Sequence, residues 1–176
     1  MLDAAAGKDF AARRDHAIIR RFFSTGMRRA ELAGLQLGDV DLTRQHVTVM
    51  GKGARKRVCH YGDKTALALS RYLRTRAQEP RANSAARWIG KSGAVGVSGL
   101  AKIVERRFAE AGVKEAGAHS FRHLFADGWL SAGGAEGDLM RLAAWSNRTM
   151  VDRYARSSAS ERALEAHKRM GLDDQI

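Results

Sequence analysis

The chain has 176 residues, 44% of them hydrophobic, which suits one domain with a full apolar core and speaks against overall disorder. Its net charge is +12, and 23 of its 31 basic residues are arginine, whose planar fork matches phosphate oxygens two at a time; the expected partner is a polyanion, above all nucleic acid. A lone cysteine, Cys59, excludes an internal disulfide and fits a reducing compartment, and neither a signal-peptide pattern nor an apolar run of the roughly 18 residues that span a bilayer is seen.

Taken in chain order, residues 1–14 read as a tail or linker remnant and 15–176 as the domain. Asp15 to Ser24 is expected to be helical, because Ile18, Ile19, Phe22 and Phe23 recur on one face. Gly26 ends that helix, and a short helix through Ala30 to Ala33 follows. Gln45 to Met50 alternates and is β-branched, so it reads as a strand. Gly51-Lys52-Gly53-Ala54 is its turn, and Arg55 to His60 returns as the second strand. Asp63 is expected to cap a helix reaching about Arg76, and Arg87 to Ile89 to form a third short strand.

From Ser98 onward the pattern is helical throughout. Helices are expected at 100–111, 120–132, 135–144, 147–156 and 160–170, the last preceded by capping-box spacing at Ser158 and Glu161. The fold class is therefore mainly α with one small antiparallel sheet.

Several polar residues stand out by type and context. His119 and Arg122 lie three apart on an expected helix, hence on one face, within reach of a single phosphate. His123 adds metal-ligand spacing to His119, but no third ligand follows, so no metal and no cofactor are expected. Arg28 follows a glycine turn at a helix start, where the dipole and free N–H groups favour an anion, and Glu31 is placed to buttress it.

Lys52 sits at the tip of a Gly-Lys-Gly turn, with Arg55, Lys56 and Arg57 beside it as a basic surface for a nucleic-acid backbone. Tyr154 has the spacing of a core tyrosine but lies among Arg148, Arg153 and Arg156. Arg148 and Arg153 are further candidate backbone contacts. Trp145 offers an indole N–H, a donor only. Each feature alone has an ordinary structural reading. Together they are donors arranged around one nucleophile, which suits attack on a phosphodiester without metal.

The run Thr25-Gly26-Met27-Arg28 with Glu31-Leu32, then Gly51-Lys52-Gly53, His119-x-x-Arg122-His123, and Ala144-Trp145-Ser146 ahead of Tyr154 resembles the tyrosine recombinases, or phage-type integrases. The resemblance covers the chain from about Asp15 onward. It implies the catalytic-domain fold of that family, with Arg28 as the first catalytic arginine and Lys52 as the hairpin lysine. It further implies His119 and Arg122 as the central pair, Trp145 in a position usually held by histidine, and Tyr154 as the nucleophile. Ala144 stands where glycine is usual.

The implied activity is cleavage and rejoining of double-stranded DNA through a 3′-phosphotyrosyl link, without metal or ATP. It would proceed among protomers in a tetrameric synapse, in the cytoplasm on the nucleoid. The family's N-terminal helical DNA-binding domain is not matched. Two other readings fit the same residues: a DNA-binding module whose chemistry has decayed, and a relaxing activity like that of type IB topoisomerases.

Overall fold

A computed structural model describes residues 7–51, 56–114, 116–156 and 159–171. Helix α1 spans Phe10–Thr25, and the Asp9 side chain caps it by accepting from the Ala12 N–H at 3.0 Å. The helix thus begins five residues before the expected Asp15. Residues 10–14 are tied down by contacts with distant parts of the chain. Phe10 packs against Tyr72 with ring centroids 5.8 Å apart, and Arg14 donates to the Ile89 carbonyl. Asp15 is fully buried and is neutralised by Arg14, Arg106 and Arg107 at 2.8, 2.5 and 2.9 Å, which ties α1 to α4 (Val97–Glu110). A buried carboxylate needs such partners, since ionic burial without them is costly.

The apolar face of α1 places Ile18, Ile19 and Phe22 in the main core, against Leu69 and Tyr72 of α3 (Asp63–Arg76). Gly62, not Asp63, occupies the cap position of α3; the Asp63 carboxylate instead accepts from the Gln45 side chain. Gly26 ends α1 in the left-handed region at φ 54°, and a Cβ there would lie 2.5 Å from Phe125 Cδ1, so the position requires glycine.

Strands β1 (Val40–Asp41), β2 (His46–Met50) and β3 (Lys56–His60) form an antiparallel sheet in that order, with Val47 opposite Cys59 and Thr48 opposite Val58. Val47, Val49 and Cys59 point into the core, as period-two alternation requires. The third strand expected around Arg87 lies slightly later: β4 (Ile89–Gly90) pairs with β5 (Gly93–Ala94). Trp88 is buried there, its indole donating to the Leu32 carbonyl at 2.8 Å.

The C-terminal helices follow the expected order as α5 (Ala118–Ser131), α6 (Glu136–Ala143), α7 (Thr149–Ala155) and α8 (Ala159–Met170). Helix α5 joins two cores. Phe121 belongs to the main one, stacked on Phe22 with centroids 5.1 Å apart. Ala126 belongs to a second core with Leu139, Ala143, Trp145, Val151 and Tyr154. The site residues gather where these two cores meet.

Candidate active site

Arg28 caps the five-residue helix α2 (Arg29–Ala33). The anion expected at this helix start is the protein's own: Glu31 Oε2 accepts from the Arg28 backbone N–H at 2.7 Å. The short helix therefore offers its N-terminus to Glu31, not to a ligand. The Arg28 guanidinium donates to Glu31 Oε1 at 3.1 Å and to the Ala144 carbonyl at 3.0 Å, while its side chain stays 44% exposed. It is held at its edges and open to an incoming anion.

Arg122, on the first turns of α5, is nearly fully buried. It donates to the Gly26 carbonyl at 2.6 Å and to the Ala143 carbonyl at 3.0 Å. Burial, with the nearby Arg28 charge, lowers its pKa below the ordinary arginine range. Even so, arginine stays protonated near neutrality. The Arg122 guanidinium carbon lies 5.4 Å from the Trp145 ring centroid and 5.8 Å from that of Tyr154, so both rings face a cation.

Tyr154 on α7 stacks on Trp145, centroids 5.1 Å apart and planes within 10°. His123 also packs against the Tyr154 ring, with centroids 4.5 Å apart, and its Nδ1 lies 3.2 Å from the Tyr154 carbonyl oxygen. His123 thus braces the tyrosine backbone. The Trp145 indole N–H is buried and has no hydrogen-bond partner among the described residues. Leaving a buried donor unmade costs roughly 1–3 kcal/mol, so such a group marks a place where a further acceptor belongs.

An open cleft brings Arg28, His119, Arg122 and Tyr154 together, floored by Ser120 and Met150. His119 itself is exposed. Four of the six residues singled out by sequence thus share one cleft, with Trp145 stacked behind Tyr154. Lys52 lies outside the described residues, as do Arg55 and Ser158. Among the described residues, no three His, Cys, Asp or Glu side chains cluster to hold a metal ion.

Of the basic residues expected along a DNA backbone, Lys56 and Arg153 are exposed. Arg148 is exposed too and pairs with Glu136 at 2.5 Å. Arg57 departs from that expectation. It turns inward, only 13% exposed, and forks onto both Glu31 oxygens at 2.8 Å each, so it is not available to a duplex. Burial would push the Glu31 carboxyl up, but the bonds from Arg57 and the Arg28 N–H outweigh it and hold the carboxyl below its ordinary value.

Sequence reasoning missed one further part of the site, the C-terminal end of α6. Its carbonyls at Leu142, Ala143 and Ala144 accept from Arg57, Arg122 and Arg28 respectively, at 3.1, 3.0 and 3.0 Å. Helix ends leave carbonyls unsatisfied and carry partial negative charge, which suits three guanidiniums. Ala144 sits in the left-handed region at φ 52° and ψ 52°, turning the chain so that these carbonyls fan toward different arginines. The departure from glycine at this position was the available signal.

The phage integrase family model matches residues 1–161. The tyrosine recombinase XerC of Corynebacterium efficiens is 34% identical over 169 residues, covering 96% of this chain and 54% of the relative. XerC of Azotobacter vinelandii is 37% identical over 131 residues, covering 74% and 42%. The chain spans about half the length of the curated relatives it matches. Among solved structures, that of XerA recombinase superposes with a TM-score of 0.84 at 21% identity, over 97% of this chain and 61% of the other. The XerH site-specific recombinase, bound to its palindromic difH substrate in a post-cleavage complex, gives 0.77 at 21% identity, over 94% and 49%. The fold is that of recombinase catalytic domains, and with the family model spanning nearly its whole length this chain belongs to the phage integrase family, the tyrosine recombinases.

Proposed function

We propose that this chain is the catalytic domain of a site-specific DNA recombinase, cleaving and rejoining duplex DNA through a covalent tyrosine link. One observation carries the reading: Tyr154 shares a cleft with Arg28 and Arg122, and stacks on an indole whose buried N–H has no partner among the described residues. The chemistry follows from the residue types. Tyr154 Oη bonds to phosphorus as the bond from phosphorus to the 5′ oxygen breaks. The phenol proton passes to solvent in the open cleft as the oxygen attacks. Arg28 and Arg122 neutralise the non-bridging oxygens, where phosphoryl transfer gathers charge. Trp145 and His119 add hydrogen bonds, and Lys52 protonates the departing 5′ oxygen. The bond energy stays in the 3′-phosphotyrosyl link, so rejoining is the reverse step.

The relatives' names, the arginine-rich surface and the charge of +12 support duplex DNA as substrate. No helix among the described residues is long and apolar enough to cross a membrane, which accords with work on DNA inside the cell. Helix α8 buries none of its residues and leaves Leu164 71% exposed, which supports contact with neighbouring protomers on DNA. A decayed module is the weaker reading, because each expected catalytic position is filled.

The test is covalent trapping on a nicked duplex. Tyr154→Phe removes only the hydroxyl and is expected to abolish the adduct while DNA affinity persists. Arg28→Ala and Arg122→Ala are each expected to slow adduct formation about 100-fold or more, the scale of one preorganised donor. An adduct that survives Tyr154→Phe refutes the assignment.

A further inference from the structure

Glu31 is shared unequally between two arginines. Arg57 takes both of its oxygens in a fork, at 2.8 and 2.8 Å. Arg28 has a single side-chain bond to Oε1 at 3.1 Å, plus its backbone N–H on Oε2 at 2.7 Å. The fork is the strong geometry for an arginine and a carboxylate, and whichever arginine holds it is neutralised. Arg57 is the one held, 13% exposed against 44% for Arg28. A third bond, from Arg57 Nε to the Leu142 carbonyl at 3.1 Å, pins the Arg57 plane to the end of α6. Arg122 and Arg28 bind the next two carbonyls, Ala143 and Ala144.

We propose that Arg57 is a positioning residue: by holding Glu31 in the fork it leaves Arg28 one side-chain bond to that carboxylate, with the rest of its guanidinium turned toward the cleft. Without Arg57, Glu31 is free to close a fork on Arg28. Arg28 would then be drawn back from the cleft and its charge cancelled at the atoms meant for a phosphate. Arg57 does not touch substrate; its effect runs through Glu31 and Arg28. This inference rests on the proposed phosphodiester chemistry.

The experiment measures adduct formation on a nicked duplex with Arg57→Met, which removes charge and fork, and Arg57→Lys, which keeps a point charge alone. Arg57→Met is expected to slow the step about 10–100-fold, the scale for removing a group that orients a site residue. Arg57→Lys is expected to recover only part of that loss. The loss is expected to vanish when Arg28→Ala is already present, and to shrink when a methylphosphonate replaces the scissile phosphate, since both remove the task of Arg28. A purely structural role would give the same factor in both backgrounds and on both substrates, and that result overturns the proposal. If Arg57→Met does not fold, the same double comparison with Arg57→Lys decides it. If the unaltered chain forms no adduct, the proposed function fails separately, and NMR of the Arg28 guanidinium decides the positioning role. Slower rotation of that group in Arg57→Lys supports the fork closing on it, and an unchanged signal overturns it.

Discussion

Replacing Ala144 by glycine is expected to stabilise the protein, although it removes atoms. Ala144 ends α6 at φ 52° and ψ 52°, with its N–H bonded back to the Arg141 and Met140 carbonyls. An L-residue in this region suffers crowding between Cβ and the carbonyl oxygen, a cost of roughly 1–2 kcal/mol. Glycine removes that crowding but loses more backbone freedom on folding, which takes back roughly 0.4–1 kcal/mol. The balance is a gain of about 1 kcal/mol, a rise in Tm of about 2–4 °C for a domain of this size. Ala144→Val carries the opposite sign, because a β-branched residue at positive φ is a true outlier. Thermal unfolding followed by circular dichroism ranks the three variants, with glycine above alanine above valine. A lower Tm for Ala144→Gly, or equal values for valine and alanine, would refute the reasoning.

Two further outcomes follow from the charges of the site. The Glu31 carboxyl is held below its ordinary 4.5 in the folded state. Its contribution to stability is therefore complete above that pH and is lost as the pH falls through the lowered value. Glu31→Gln is expected to flatten this acid limb of a Tm-against-pH curve, and an acid limb unchanged by the substitution would show that Glu31 does not contribute to it. Lys52→Ala is expected to cripple cleavage of ordinary DNA but to be largely rescued when the scissile 5′ oxygen is sulfur, because a thiolate leaves without a proton. Equal defects on the two substrates would reduce Lys52 to a phosphate contact.

The helices and the pairing of β2 with β3 were legible in the sequence. Periodicity is local, so Ile18, Ile19 and Phe22 announce their helix, and Val47 and Val49 their strand, without knowledge of partners. Arg28, His119, Arg122 and Tyr154 stood out by type and context, and the structure brings them to one cleft with Trp145 stacked on Tyr154. Partner choice is not local. The start of α1 at Phe10 depended on Phe10 finding Tyr72 and Arg14 finding the Ile89 carbonyl, both far along the chain. Arg57 belongs to a run of basic residues, and nothing in that run separates it from an arginine facing DNA. Only the packing of β3 against α2 and α6 turns it onto Glu31 and the Leu142 carbonyl. Every residue carries a carbonyl, so tertiary structure decided that those of Gly26, Leu142, Ala143 and Ala144 would hold the site arginines.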